Sequence, residues 1–212
     1  MINIDQSEAK QPRKNVSYIQ LALIIKHALL PRFYQILGQG FSVNAQAGCS
    51  IKDFLCLNLG IDAKYLEERI QTIFLNGRAV DDVESAIVED GSTLALSGPM
   101  PGLVGATLRK GGYYAAMRSQ ISHSKKTSPA NNREGKIIIK LFNIIVKELG
   151  PAFLHNGIWI TGKQLQEGML PYWDKLKSEG VTIHLNGLGI DIEALAKVDW
   201  ENKEVFLVVT SE

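Results

Sequence analysis

Short runs of alternating apolar and polar residues follow one another along the chain, and their period changes in a fixed order. Phe41, Val43 and Ala45 alternate with Ser42, Asn44 and Gln46, which predicts a half-buried strand over Phe41 to Ala47. Before it, the mainly apolar stretch Tyr18 to Lys26 carries a β-branched pair and predicts a buried strand. Leu29 to Leu37 predicts a short helical turn ending at Gly38. At Ser50 the period lengthens: Ile51, Phe54, Leu55 and Leu59 fall on one stripe of a helix. Ser50-x-x-Asp53 fits a capping box, in which each side chain satisfies a free backbone N–H. Such a cap contributes about 1 kcal/mol.

After Arg69, Gln71 to Leu75 reads as a strand. Asn76-Gly77 tolerates positive φ at both central positions of a tight hairpin turn. Ala79 and Val80 leave that turn, Ile87-Val88 lead to a second turn at Glu89-Asp90-Gly91, and Thr93 to Ser97 closes the series. The order strand, strand, helix, strand, strand predicts a sheet wrapped over one helix.

The second half repeats part of this pattern. Ile73 to Asp81 and Ile183 to Asp191 share I-x-L-N-G-x-x-[VI]-D, with Asn-Gly at Asn76-Gly77 and again at Asn186-Gly187. Thr161-x-x-Gln164 offers another capping box, and the spacing from cap to Asn-Gly matches within one residue. Ile158 to Thr161 is the expected strand before that helix, and Glu204 to Val209 the closing strand. These features suggest a tandem pair of similar units. Ile137 to Leu149 supports two readings. Lys136, Lys140, Asn143 and Lys147 recur with helical spacing and predict a helix ending at Gly150-Pro151. The β-branched run Ile137 to Ile139 instead predicts a strand to Phe142 followed by a short helix, and the repeat favours the strand.

Composition bounds the class. The chain has 212 residues, 45% hydrophobic and 21% charged, with a formal net charge of +1. That is the profile of an ordinary globular protein, with no overall pull toward nucleic acid. The apolar run from Tyr18 to Leu30 is interrupted by Lys26 and His27 and is too short to span a bilayer, so no membrane partner is expected. Charge is uneven, however. Arg109, Lys110, Arg118, Lys125, Lys126, Arg133, Lys136, Lys140 and Lys147 face a single acid, Glu134, across residues 109–147. This segment is either a solvated connector or a surface for an anionic ligand. Cys49 and Cys56 lack metal-ligand spacing and read as reduced, structural thiols. With a polar, acid-containing N-terminal stretch unlike a signal peptide, they point to the cytoplasm. His27, His123, His155 and His184 are scattered, and no metal site, catalytic constellation or cofactor motif is present in the sequence. Trp159, Trp173 and Trp200 are either core residues or a partner surface.

The series YIQLALIIK, LLPRF, GFSVNAQAGCSIKDFL, IQTIFLNGRAV and AIVEDGSTLALSGPMPGL resembles the molybdopterin-synthase small subunit and the thiamin-pathway sulfur carrier, the MoaD/ThiS-like β-grasp proteins. Asn76-Gly77, Glu89-Asp90-Gly91-x-Thr93-Leu94 and the Gly-Pro-x-Pro-Gly ending at Gly102 carry the resemblance, over about half the chain. It implies a ubiquitin-like fold whose C-terminal Gly-Gly is adenylated and converted to a thiocarboxylate. Here the matching position reads Gly102-Leu103 and the chain runs on. A second glycine pair follows in Leu108-Arg109-Lys110-Gly111-Gly112, like the Arg-containing tail of ubiquitin-like modifiers.

The expected architecture is therefore α+β: a tail over residues 1–16, a β-grasp domain over 17–117, a linker over 118–134, and a second α+β domain over 135–212 that is a candidate diverged β-grasp copy. The expected function is non-catalytic, through a protein partner or self-association. The alternatives are a sulfur-carrier or modifier precursor cleaved after Gly112, and a small-anion or nucleotide binder. The candidate binding residues are Gly102, Arg109, Lys110, Gly111, Gly112 and Arg118.

Overall fold

A computed structural model describes residues 18–118, 133–169 and 172–212. The expected tail and most of the linker lie outside these residues. Among the described residues the chain forms twelve strands and eight α-helices, an α+β protein with mixed sheets. The alternating runs become β1 (Tyr18–Ile25), β2 (Phe41–Ala47) and the short β3 (Cys49–Ser50). Between β1 and β2 lie a 3₁₀ turn (His27–Phe33) and α1 (Tyr34–Gln39). The capped helix is α2 (Ile51–Asp53), which widens into a π-helical turn over Phe54–Asn58. Next come α3 (Ala63–Glu68), β4 (Thr72–Leu75), β5 (Arg78–Ala79), β6 (Ile87–Val88) and β7 (Thr93–Ser97). They are followed by α4 (Gly102–Leu108) and a 3₁₀ turn (Tyr113–Arg118).

The ambiguous run resolves as a strand followed by a helix: β8 (Arg133–Phe142) and α5 (Asn143–Asn156). The helix is longer than expected and continues through Gly150-Pro151. Proline in a helix interior costs about 3 kcal/mol, but the turn beyond it buries Phe153 and Leu154. Phe153 meets Phe41 edge to face at 5.0 Å. Gly150 allows close packing there, because a Cβ would come within 2.8 Å of Leu37 Cδ1 and the leucine side chain would have to shift. The chain then forms β9 (Ile158–Thr161), α6 (Gly162–Met169), α7 (Trp173–Glu179), β10 (Thr182–Leu185), β11 (Leu188–Ile190), α8 (Ile192–Leu195) and β12 (Glu204–Ser211).

Two compact units result, and they are interleaved in sequence rather than consecutive. One holds Ser42–Val146; the other joins 18–41 to Lys147–Glu212. The stretch expected as one domain over 17–117 therefore contributes its first strand to the unit that holds β12. The stretch expected as a second domain contributes β8 to the unit that holds β7. Hydrogen bonding drives this grouping: β7 pairs in parallel with β8, and β1 pairs in parallel with β12.

In the first unit the strand order is β2-β8-β7-β4-β5. Leu94 and Leu96 of β7 lie beside Ile139 and Leu141 of β8 and opposite Leu75 and Ile73 of β4. All six are buried, so the period-two rows coincide across three strands. The Asp90 carboxylate accepts from the Lys136 N–H at 2.7 Å, which fixes β8 to the Glu89-Asp90-Gly91 turn. In the second unit the order is β9-β12-β1-β10-β11. Leu21 and Leu23 of β1 lie beside Leu207 and Val209 of β12 and opposite Leu185 and Ile183 of β10. On the opposite face Trp159 packs on Tyr18 and Phe206, with ring centroids 5.0 and 4.9 Å apart. Trp159 and Trp200 are thus core residues.

The strand orders of the two units match one for one, and the repeated Asn-Gly marks the match. Asn76 and Asn186 adopt φ of 51° and 49°, and the glycines after them are also at positive φ. Asn76 exchanges bonds with Thr93 at the start of β7, its Oδ1 accepting from the Thr93 N–H at 2.8 Å. Asn186 does the same with Gln20 of β1, its Oδ1 accepting from the Gln20 N–H at 2.9 Å. The place of β7 in one sheet is taken by β1 in the other. The expected capping box forms in full at Thr161, whereas at Ser50 only the half made by the serine side chain forms. Ser50 Oγ accepts from the Asp53 N–H at 3.0 Å, and Thr161 and Gln164 bond reciprocally at 3.0 and 3.2 Å.

Replacing Asn186 by Ala removes one backbone-anchoring bond, about 1 kcal/mol, and strains a left-handed position, about 1 kcal/mol more. The expected outcome is a lower denaturation midpoint with faster amide exchange at Gln20. Unchanged Gln20 exchange would contradict the placement of β1 beside β10.

Candidate functional site

Five large apolar side chains stand in solvent within one short segment of the first unit, the part of the chain that follows β7. Tyr113 is 92% exposed, Met117 72%, Val104 71% and Leu103 67%, and Tyr114 is also exposed. Several large apolar side chains left in solvent on one segment are the kind of feature that marks an interaction surface. The residues sit on α4 and the 3₁₀ turn after it. Pro101 precedes α4 in an extended conformation, and Gly102 opens the helix at positive φ. Gly105 brings α4 against the preceding strand-end segment, since a Cβ there would overlap the Met100 carbonyl.

The connecting turn is fastened to the body of the unit. The Lys110 N–H donates to the Gln71 carbonyl at 2.7 Å, and Lys110 Nζ donates to the Leu66 carbonyl at 2.9 Å. Burial pushes the Lys110 ammonium below the ordinary lysine value, with Glu67 opposing. Asp81 holds the next residue, its Oδ1 accepting from the Gly111 N–H at 3.0 Å. The same oxygen accepts from the Arg118 guanidinium at 2.6 Å. Arg118 also donates through Nε to the Thr107 carbonyl at 2.6 Å and through Nη2 to the Arg109 carbonyl at 3.4 Å. These are carbonyls at or just past the end of α4, which lack intrahelical partners. Arg118 is therefore buried, its side chain only 3% exposed. Gly111 sits at φ 61°, where a residue with a Cβ would be strained.

The six expected binding residues thus fall in one segment, but in unlike roles. Lys110, Gly111 and Arg118 hold the turn in place. Gly112 closes it, donating to the Arg109 carbonyl at 3.1 Å. Gly102 starts α4. Arg109 alone among the three cations is exposed and has no carboxylate partner among the described residues. Lys125 and Lys126 lie outside the described residues. Sequence reasoning missed Asp81, whose partners are distant in sequence, and it missed the exposed Leu103, Val104, Tyr113, Tyr114 and Met117. A signal existed in the last group: apolar pairs at Leu103-Val104 and Tyr113-Tyr114 in a segment with no strand or helix period.

Beside α4 an open cleft of about 390 Å³ is lined by Met100, Pro101, Gly102, Ala106, Arg109, Gly112, Tyr113 and Tyr114. The two tyrosine rings meet edge to face at 5.1 Å. In the second unit, a cavity of about 30 Å³ between Leu165, Met169, Trp173 and Trp200 has room for one water molecule and no ligand. Burial raises the Cys49 and Cys56 thiols above their ordinary values, the opposite of an activated nucleophile. Among the described residues no group of three or more His, Cys, Asp or Glu is placed to hold a metal ion. Among them, too, no helix is long and apolar enough to cross a membrane. Compared with protein-family models, with curated proteins and with solved structures, the chain matches none.

Removing the Asp81 carboxylate takes the anionic acceptor seen here from the buried Arg118 guanidinium and the acceptor from the Gly111 N–H. Because Asp81 is partly solvated, Asp81→Ala is expected to cost about 2 kcal/mol, below the range for fully buried pairs. Asp81→Asn, which keeps an oxygen acceptor, is expected to lose less. Chemical denaturation with amide exchange at Gly111 reads both effects, and an Asp81→Ala variant within about 0.5 kcal/mol of the parent would contradict the fastening role.

Proposed function

We propose that this is a non-catalytic protein of two β-grasp units, of MoaD/ThiS-like type, that acts by docking another protein on the face made by α4 and Tyr113–Arg118. The β-grasp reading is supported in each unit by five neighbouring strands of mixed pairing that include one parallel pair, by an Asn-Gly hairpin near one edge and by a capped helix. The observation that carries the docking reading is the set of exposed apolar side chains at Leu103, Val104, Tyr113 and Met117, held on a fastened segment. A rigid display of aromatic and aliphatic groups lowers the entropy lost on binding.

The carrier chemistry of the family needs a free glycine carboxylate. Gly102 begins a helix here, and Gly111-Gly112 lies in a turn bonded at Asp81, Arg109 and Gln71. Cleavage after Gly112 would have to release that turn as well as cut it. An anion site built from the whole basic segment is likewise disfavoured, because Arg118 and Lys110 are already committed to carbonyls and to Asp81. The free thiols of Cys49 and Cys56 accord with a cytoplasmic setting.

Co-purification from the source cells tests the docking reading. The parent chain is expected to retain a partner in fixed stoichiometry, and Tyr113→Ser with Met117→Ser is expected to lose it without a shift in denaturation midpoint. Retention of the same partner by the double variant would overturn the assignment of this face.

A further inference from the structure

We propose that the cleft beside α4 receives a short acidic and apolar segment of a partner protein, with Arg109 binding the partner's carboxylate. The inference rests on the docking reading and names the partner's chemistry. Arg109 is exposed on the segment that lines the cleft, so its charge favours an anionic group of a partner over a basic one. Lys110 and Arg118 are engaged by the fold, which leaves the Arg109 guanidinium as the cation lining the cleft, with no acid among the lining residues. A planar guanidinium matches a carboxylate with two parallel hydrogen bonds.

The remaining lining is apolar and aromatic, from Met100, Pro101, Ala106, Tyr113 and Tyr114. A volume of about 390 Å³ falls in the range of pockets that take a few side chains rather than a folded surface. Single-stranded nucleic acid also pairs with arginine and stacks on tyrosine. The exposed Leu103, Val104 and Met117 of the same segment offer bases no π-face, however, and they suit leucine, isoleucine or phenylalanine side chains.

A random peptide library displayed on phage and selected on the full-length chain tests the proposal. Enriched peptides are expected to place Asp or Glu beside Phe, Trp, Leu or Ile. A synthetic peptide from that selection is then titrated calorimetrically. Arg109→Glu is expected to weaken binding about 30-fold, and a peptide with its acid changed to Lys is expected to recover affinity for that variant. Tyr113→Ala is expected to weaken binding about 10-fold. Peptides that need Tyr113 but are indifferent to Arg109→Glu would overturn the acidic-partner inference and leave the docking reading standing. Peptides indifferent to both variants would overturn the two together. Enrichment of no peptide, with binding of oligo-dT or with a concentration-dependent dimer broken by Tyr113→Ala, would reassign the face to nucleic acid or to a second copy and overturn the proposal.

Discussion

Parallel pairing between β1 and β12 is the constraint on which the second unit depends. Eight Cα pairs run from Tyr18↔Glu204 to Ile25↔Ser211, and two further bonds between Ile25, His27 and Glu212 extend the ladder. Parallel neighbours cannot be joined by a tight turn, so their pairing is necessarily non-local, and it recruits a strand from far away in the sequence. Once β1 lies beside β12, its other edge is open to β10, and the Asn186 side chain closes on Gln20. The buried rows of Leu21, Leu23, Leu207 and Val209 then form one apolar layer. The first unit repeats this construction with β7 and β8, where five parallel pairs unite Leu94 and Leu96 with Ile139 and Leu141.

The same exchange shapes the candidate site. In a chain whose residues 17–117 formed a complete sheet by themselves, the residues after β7 could leave the fold as a tail, which is what the resemblance implies. Here the position next to β7 is filled by β8, and residues 102–118 turn back on the unit. Asp81, at the end of the β4–β5 hairpin, anchors that segment through Arg118 and Gly111. Fastening ties Gly111 and Gly112 into the turn and holds the segment that carries Tyr113 and Met117. A single carboxylate therefore links the strand exchange to the proposed docking face.

Local structure was largely legible in the sequence, because local patterns determine it. The Asn-Gly turns, the caps at Ser50 and Thr161, and the strands Phe41–Ala47, Ile158–Thr161 and Thr93–Ser97 all follow from periods and propensities that act within a few residues. The run around Ile137 was ambiguous for a physical reason: positions i and i+4 share a side under both a period of two and a period of 3.6. Lys136 and Lys140 fit either element for that reason. Which strands pair was not legible, since β1 shows the same apolar pattern whether its neighbour is β7 or β12. Arg118 read as a surface cation because its partners, Asp81 and two helix-end carbonyls, are assembled only by folding. The helix α4 escaped notice because its glycines and the prolines before it suggest a loop. Gly105 is instead the residue that lets the helix approach Met100.

Cysteines introduced at Ala22 and Val208, with Cys49 and Cys56 changed to Ser, test the β1–β12 pairing most directly. The two positions are register partners, and both are half-buried on the same face. Adjacent strand positions satisfy the Cα separation of a disulfide, about 4.4–6.8 Å. Mild oxidation is expected to give a disulfide within one chain and a higher denaturation midpoint. A disulfide that forms only between chains, or none at all, would contradict the interleaved fold.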